Sequence, residues 1–285
     1  MKISHQLTVL LVLVTVLGAS AHAENGTESS RWMLIDNFEN SNAIEQWTLR
    51  DTKNETQPHI DKPQITEVRV AENGNHYLLK KAAADGIIGN RKALSFRPLP
   101  VSVEVGETYT FYARFQVEYF PNNHIFGLSN LDATGIEAQD YNALEPSLRI
   151  TDKAESNGFK NDGTLMVKIG SGYKKIINFT KAEVAQPLQT GTWYEVWYVV
   201  DNNRLANGGQ VYDVYLKGGE FEQQTAVYLN ADFRMAREKP LNYLLLNSNT
   251  GSKKSPYGNG GVLYDDFYMR VGRDLSKPNQ FPETQ

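Results

Sequence analysis

The chain has 285 residues, with 29 lysines and arginines against 33 aspartates and glutamates, which gives a formal net charge of −4 at pH 7. Charges of both signs are mixed along the sequence, so it lacks the basic footprint of a nucleic-acid-binding protein. The chain contains no cysteine, and this excludes both a disulfide framework and a lipid-modified cysteine as an anchor.

The first residues have the pattern of a secretory signal peptide. Lys2 gives a positively charged start, residues 7–17 are apolar, and Ala21-His22-Ala23 is a small-x-small cleavage pattern. We therefore expect residues 1–23 to be removed and the mature protein to be secreted or periplasmic. The alternative is a retained membrane anchor, but the apolar run is shorter than the roughly 20 residues that a spanning helix needs.

Residues 24–31 are polar and are predicted to be flexible. Beyond them, short apolar or alternating runs separated by Asn-Gly and Asp-Gly turns predict β-strands. Residues 48–63 are predicted as a loop, and only 181–186 and 230–239 have a weak helical pattern. The predicted strands are 32–38, 64–71, 76–80, 93–96, 108–119, 124–129, 147–151, 164–169, 174–179, 193–201, 210–216, 225–230, 241–247 and 262–271.

This succession of strands without intervening helices predicts an all-β protein, built as a two-sheet antiparallel jelly-roll sandwich. We expect one domain at residues 32–273, a C-terminal tail at 274–285, and a monomer without a membrane anchor. The last strand is expected to pair beside the first and so to close the sheet.

Several predicted strands carry large cationic, aromatic or amide side chains on one face. A solvated sheet face is the simpler interpretation of any one of them. Taken together, such residues are also the lining that a sugar-binding groove requires. The residues concerned are Tyr112, Arg114, Gln116, Arg149, Lys168, Asn247 and Asn249.

Both ends of the predicted domain resemble known carbohydrate-active proteins. The start reads Leu34-Ile35-Asp36-Asn37-Phe38-Glu39 and then Trp47, which resembles the opening of many jelly-roll carbohydrate-binding modules. The end reads Leu263-Tyr264-Asp265-Asp266-Phe267-Tyr268-Met269, which resembles their closing strand. The runs around Trp193 and Tyr212 look like laminin-G-like or concanavalin A-like sandwiches. The resemblance implies either a carbohydrate-binding module or a jelly-roll polysaccharide lyase.

The same resemblance implies a structural calcium ion shared by the first and last strands. A hard cation needs several oxygen ligands. Its implied ligands are Asp36, Glu39, Asp265 and Asp266. The alternative is that these acids cap turns or face water.

The choice of chemistry rests on which side chains the polar faces supply. Glycoside hydrolysis needs two carboxylates at a fixed separation, and apart from Glu195 the predicted groove strands supply almost none. β-Elimination from a uronate-containing polysaccharide instead needs a group that neutralises the sugar carboxylate, a base and an acid. The polar faces supply that second set, so we predict a lyase acting on an anionic polysaccharide. The known signatures of jelly-roll alginate lyases are absent, so a lyase would belong to another family.

The predicted roles follow from residue type. The catalytic candidates are Lys168, Tyr257, His124 and Arg149, and the substrate-binding candidates are Tyr112, Arg114, Gln116, Asn247 and Asn249. A structural role in a turn is the alternative for His124, and packing within its own loop is the alternative for Tyr257. The same faces would also bind sugar without reacting, so a non-catalytic carbohydrate-binding protein stays open as the alternative function.

Overall fold

The computed structural model describes residues 31–40, 42–155, 158–170 and 172–278. The predicted signal peptide and nearly all of the segment at 24–31 lie outside these described residues. In them the chain forms one short helix, α1 (Ala133–Gln139), and nineteen strands. The strands are β1 (Met33–Asp36), β2 (Thr48–Asp51), β3 (Ile65–Val70), β4 (His76–Lys81), β5 (Ala93–Val103), β6 (Thr108–Val117), β7 (Asn123–Ser129), β8 (Leu144–Thr151), β9 (Met166–Ile169), β10 (Gly172–Lys175), β11 (Ile177–Asn178), β12 (Glu183–Val184), β13 (Trp193–Asp201), β14 (Val211–Gly218), β15 (Phe221–Asp232), β16 (Leu241–Ser248), β17 (Gly251–Ser252), β18 (Ser255–Pro256) and β19 (Val262–Val271).

Most of these strands belong to two large antiparallel sheets. The first sheet has the order β15-β14-β13-β6-β19-β4-β3, and β1 also pairs with β19. The second sheet has the order β10-β9-β8-β7-β16-β5-β2. The structure therefore confirms the predicted all-β, two-sheet antiparallel jelly-roll sandwich. It also confirms that the last strand pairs beside the first, with Met33 opposite Met269.

The core lies between the two sheets and is built from the apolar faces of alternating strands. Phe115 of β6 contacts Phe126 of β7 across the sandwich, with ring centroids 5.8 Å apart. Phe126 also contacts Tyr264 of β19 at 5.4 Å. Because successive residues of a strand point to opposite faces, the neighbours of Phe126 on β7 point away from this core. The second sheet thus has an outer face of its own.

Local sequence patterns gave the wrong prediction for four segments. Strand β2 lies inside the predicted loop at 48–63 and pairs with β5. Helix α1 was not predicted; its first turn is capped by Asp132, which accepts a hydrogen bond from Gly135 N (2.7 Å). Residues 181–186 and 230–239 are not helical. In the second of these segments, the backbone N–H groups of Met235 and Ala236 instead donate to buried Glu145 at 2.8 and 3.0 Å.

The predicted tail begins as part of the folded domain. Trp197 Nε1 donates to Ser276 O (3.0 Å), and Trp32 Nε1 donates to Ser276 Oγ (3.3 Å). Lys277 forms an ion pair with Glu195 at 3.1 Å. The packed chain therefore extends past residue 273 and covers aromatic side chains on the outer face of the first sheet.

A buried ion-pair cluster joins β6 to β19 on that same outer face. Arg114 Nη1 lies 3.1 Å from Asp265 Oδ2 and 3.2 Å from Asp266 Oδ2. Burial raises the pKa of Asp265 and repulsion from Asp266 adds to this, whereas Asn75 and Arg114 act in the opposite direction. The register of β19 against β6 shifts just after Asp265. Arg114 therefore holds together two carboxylates at an irregular point of β19.

We expect Arg114→Met to lower the free energy of unfolding by about 3–5 kcal/mol at pH 7, because it leaves buried carboxylates without their cation. The loss should shrink on acidification. A carboxyl whose pKa is raised in the folded state contributes most to the free energy of unfolding at low pH. That contribution falls as the pH rises above the pKa that the carboxyl has in the unfolded chain. Urea unfolding at pH 5 and pH 7 measures both effects.

Arg69→Met is the matched control. Arg69 pairs with Glu67 at 2.7 Å, but both side chains are about half exposed (49% and 50%). An exposed pair of this kind contributes about 0–1 kcal/mol. Equal losses for the two variants would show that the cluster of Arg114 with the two aspartates has no special structural importance.

Candidate functional site

A polar groove opens on the outer face of the second sheet, at the end formed by the start of β5, the end of β16 and the start of β7. Its volume is about 210 Å³. Cations, tyrosines and amides dominate its lining. The lining residues are Lys92, Asn123, His124, Ile125, Tyr141, Arg149, Lys153, Glu155, Tyr173, Asn247, Asn249 and Tyr257.

The floor of the groove is set by strand register. Ile125 of β7 lies between Asn247 of β16 and Arg149 of β8, so these three side chains share one face. Asn247 is only 5% exposed, and its Oδ1 has no hydrogen-bond partner among the described residues. Leaving such a buried acceptor unsatisfied costs about 1–3 kcal/mol. A hydroxyl of a bound ligand would satisfy it.

Arg149 is held in one orientation by its neighbours. Nη1 donates to Glu155 Oε1 at 2.7 Å, and Nε and Nη2 donate to Asn123 Oδ1 at 3.3 and 3.1 Å. The guanidinium also lies 4.6 Å from the ring centroid of Tyr173. The position of the positive charge is therefore fixed before any ligand binds, as electrostatic recognition of an anion requires.

Lys168 lies against Tyr173 and does not line the groove. The side chains are cross-strand partners, and Lys168 Nζ is 4.5 Å from the centroid of the tyrosine ring. Lys168 is 1% exposed and donates to Gly172 O at 2.8 Å. Burial lowers the pKa of Lys168 to about 8, and Arg234 and Arg149 add to this. Its buried position favours an influence on Tyr173 over direct contact with a ligand.

Tyr173 is the half-buried tyrosine of the groove wall. Burial raises the pKa of its hydroxyl to about 12, although the nearby charge of Arg149 acts in the opposite direction. The phenol is therefore protonated near neutral pH and can donate a proton or a hydrogen bond. Sequence reasoning missed it because Tyr173 follows the run Gly170-Ser171-Gly172 and has no distinguishing neighbour in the sequence.

His124 lies at the edge of the groove, but its ring serves the surrounding loop. It is 2% exposed, and Nε2 donates to Gly260 O at 2.9 Å. Burial lowers the pKa of the imidazole to about 3, so it is uncharged at neutral pH. These contacts favour the structural alternative for His124. A general base works best with a pKa near the operating pH, and this imidazole is far from it.

Tyr257 lines the groove from the loop that follows β18. Its backbone N donates to Thr250 O at 3.0 Å. Lys153 Nζ lies 4.8 Å from the ring centroid and forms an ion pair with Glu155 at 2.8 Å. Asn249, on the same side of the groove, accepts a hydrogen bond from Gly251 N at 2.6 Å. The structure thus brings predicted residues from three separate segments to one place.

Lys92 is a groove cation that sequence reasoning missed. Its Nζ lies 4.2 Å from the ring centroid of Tyr141, and the Arg234 guanidinium lies 3.8 Å from the same ring. Burial lowers the pKa of Lys92 to about 8; Asp140 acts in the opposite direction. In the sequence Lys92 is an ordinary loop lysine, and only the packing of Tyr141 after helix α1 gives it this environment.

Three of the predicted substrate-binding residues lie away from the groove, on the outer face of the first sheet. Tyr112 donates to Glu195 Oε2 at 3.0 Å, Arg114 holds the two aspartates described above, and Gln116 Nε2 donates to Gly191 O at 2.9 Å. All three belong to β6, whose alternation was read correctly. The sequence could not indicate that β6 and β8 belong to different sheets, whose outer faces point in opposite directions.

The acids predicted to share a calcium ion each have protein partners. Asp36 accepts a hydrogen bond from Trp47 Nε1 at 2.8 Å and forms an ion pair with Arg97. Glu39 binds His76 Nδ1 at 2.8 Å. Each carboxylate is thus occupied by a protein donor on a different neighbour.

The other two acids, Asp265 and Asp266, both lie against Arg114, which already supplies a positive charge. Among the residues that the structure describes, no group of three or more His, Cys, Asp or Glu could hold a metal ion. The residues present therefore do not fit the calcium site that the resemblance implied. Calcium binding by the protein stays untested, and the contacts of these four acids give no reason to expect it.

We expect that adding calcium after chelator treatment shifts the melting temperature by less than about 1 °C. A site occupied at 100 times its Kd would raise the free energy of unfolding by about 2.7 kcal/mol. At roughly 2–4 °C per kcal/mol for a domain of this size, that would be a shift of several degrees. A shift of several degrees in a thermal melt would contradict the interpretation that these carboxylates bind protein partners and no calcium ion.

No protein-family model matches the sequence, and no curated protein matches it either. Solved structures with a similar chain path include the winged bean acidic lectin complexed with methyl-α-D-galactose, with 8% identity, 85% of this chain and 99% of the lectin covered, and a TM-score of 0.49. A marine alginate lyase from Aplysia kurodai has 12% identity, coverage of 73% and 87%, and a TM-score of 0.46. A β-glucanase catalytic domain from Podospora anserina has 9% identity, coverage of 86% of both chains, and a TM-score of 0.44.

These likenesses concern the fold only, and neither a ligand nor an activity transfers from them to this chain. The sandwich itself, established by its own strand order, is the architecture that the sequence resemblance implied. Within the described residues, no helix is long and apolar enough to cross a membrane.

Proposed function

We propose that this protein binds an anionic, uronate-containing polysaccharide in the groove and cleaves it by β-elimination. The observation that carries the proposal is the excess of positive charge around a small, partly buried space. Among the described residues, the groove is lined by three cationic side chains and one acidic side chain. The cations are Lys92, Arg149 and Lys153, and the acid is Glu155. Charges in such an environment interact more strongly than in bulk water. The lining therefore favours a ligand that carries carboxylates.

Arg149 and Asn247 are the proposed binding groups at the floor. The fixed guanidinium neutralises the sugar carboxylate, and neutralisation makes the C5 proton more acidic. Asn247 Oδ1, which lacks a partner in the described residues, accepts a hydrogen bond from a sugar hydroxyl. The two side chains flank Ile125 from the strands on either side of β7, and we infer that one sugar residue lying over Ile125 contacts both.

Lys92 is the proposed base. With its pKa lowered to about 8, a substantial fraction of its amine is unprotonated just above neutral pH, where a general base is most effective. It takes the C5 proton while a C4–C5 double bond forms and the C4–O bond breaks. Lys168 has a similarly lowered pKa, but its ammonium is occupied by Gly172 O.

Tyr173 is the proposed acid. Its phenol, with a pKa raised to about 12, holds its proton until the leaving oxygen develops negative charge and accepts it. Lys168 and Arg149 beside the ring stabilise the phenolate that results. The elimination is then balanced, because one proton moves from C5 to Lys92 and another from Tyr173 to the leaving oxygen. Tyr257 is assigned to binding.

A non-catalytic carbohydrate-binding protein is the second candidate function. The observation that favours it is that Arg149 already donates to Glu155 and Asn123. A guanidinium satisfied in this way can hold a carboxylate without acidifying the neighbouring proton strongly. For either function we expect a protein that is secreted or periplasmic, as the N-terminal sequence indicates, and that acts as a monomer.

The deciding experiment incubates the protein with alginate, pectate, glucuronan and ulvan and follows the absorbance of the unsaturated product. We expect turnover on at least one polymer. No product, together with retarded migration in a gel containing one polymer, would favour the binding protein. If the protein forms no product and is not retarded by any of the four polymers, both candidate functions are refuted.

We expect Lys92→Met to lower kcat by about 10²–10⁴-fold, the usual contribution of a general base. Polymer affinity should change far less, because the methionine keeps the packing on Tyr141. Lys53→Met is the matched control: it removes a neighbouring charge from an exposed lysine that pairs with Asp140 at 3.6 Å and does not line the groove. Equal activity in the two variants would exclude Lys92 as the base.

The pH profile tests the same assignment independently. Since Lys92 must be unprotonated to act, kcat/KM should rise with pH up to about 8 and then level off. The rise should be absent from the residual activity of Lys92→Met. A profile that is already flat between pH 6 and 8 would point to a base with a lower pKa and would contradict this role.

A further inference from the structure

A second cleft lies beside the β17–β18 hairpin, and residues that flank this hairpin also line the groove. It is lined by residues 54–59 and 252–254 and has a volume of about 820 Å³. We call it the distal cleft. The groove, at about 210 Å³, is smaller than the roughly 300–1,000 Å³ of typical ligand pockets. A polysaccharide held there must continue along the surface beyond it.

The two sites share structural elements. Tyr257 lines the groove, and Ser252, five residues earlier in the same hairpin loop, lines the distal cleft. Asn249 of the groove accepts a hydrogen bond from Gly251 N at 2.6 Å, next to the cleft wall. A chain leaving the groove past Asn249 therefore meets the distal cleft.

The walls of the distal cleft are built to hold their shape. Within one wall, Thr56 Oγ1 donates to Asn54 Oδ1 at 2.7 Å, and Asn54 Nδ2 donates to Ile60 O at 2.7 Å. Gly89 joins the two walls: its carbonyl accepts from Glu55 N (2.8 Å), and its N–H donates to Gly251 O (3.1 Å).

Only glycine fits at this junction. The φ of Gly89 is +98°, and an added Cβ would lie 2.6 Å from Glu55 O. A larger residue would force the walls apart. The separation of the two walls is therefore set by backbone contacts and does not depend on a bound ligand.

The distal cleft carries unpaired positive charge. Lys253 and Lys254 are exposed, and neither forms an ion pair or a hydrogen bond with any residue in the described ranges. The one acid of the lining, Glu55, is paired with Arg91 at 3.2 Å. The lysines thus continue the cationic character of the groove, without a protein anion to neutralise them.

We propose that the distal cleft binds further carboxylated or sulfated sugar residues of the same polysaccharide chain that occupies the groove. This inference rests on the proposed function of the groove. It makes the protein selective for chain length, because a short oligosaccharide fills only the groove and a polymer contacts both sites.

The test compares wild type with the double variant Lys253→Ala/Lys254→Ala. The probes are alginate, pectate, glucuronan and ulvan in affinity gels, followed by a size-defined tetrasaccharide of whichever polymer wild type retains. We expect the variant to lose roughly three- to ten-fold in affinity for the polymer, as two exposed charge contacts provide. Its affinity for the tetrasaccharide should be unchanged. The polymer effect should also weaken at high salt, since exposed charges are screened.

Lys217→Ala/Lys239→Ala is the control, because it removes the same net charge from lysines that line neither site. If both double variants lose polymer affinity equally, the effect is general electrostatic attraction and the inference is wrong. Unchanged polymer affinity in the Lys253 and Lys254 variant also overturns it, while the groove proposal stands. Failure of the groove proposal is recognised separately, because wild type then retains none of the four polymers.

Discussion

The constraint on which the rest of the structure depends is the burial of one face of each sheet against the other. Phe115, Phe126 and Tyr264 meet in the middle of the sandwich, and their burial removes a large apolar area from water. Once Phe126 points inward, the alternation of a strand requires Ile125 to point outward. Register then places Asn247 and Arg149 beside it. The floor of the groove is thus a geometric consequence of core packing.

The two outer faces differ in how their polar groups are satisfied. On the first sheet, Arg114 is neutralised by two carboxylates and Tyr112 donates to Glu195. The segment around Ser276 covers the neighbouring tryptophans. That face is closed by protein contacts. On the second sheet, cations outnumber acids along the groove and an amide oxygen lacks a partner in the described chain. A protein that keeps like charges together in a partly buried space loses stability there, and a bound anion would recover it.

Much of the fold could be predicted from the sequence because strand alternation and turn chemistry are local. The site could be predicted only in part. Arg149, Asn247 and Tyr257 were found because they interrupt or follow apolar alternation. Lys92 and Tyr173 were missed because their environments come from other segments. Burial by Tyr141, after a helix that was not predicted, gives Lys92 its lowered pKa, and the cross-strand neighbour Lys168 gives Tyr173 its cationic contact.

The errors have the same physical origin as the successes. Tyr112, Arg114 and Gln116 satisfy the same local pattern as Arg149 and Asn247, since alternation reports which residues share a face and not which sheet the strand joins. The acids predicted as calcium ligands depend on long-range packing in a related way. Asp36 and Asp265 do lie on neighbouring paired strands, as expected. Their carboxylates, however, form ion pairs with Arg97 and Arg114, which come from other strands. Long-range packing decides whether a buried acid binds a metal ion or an arginine. A pattern of acids at the two ends of the predicted domain therefore indicates where negative charge is buried, but it does not identify the group that binds it.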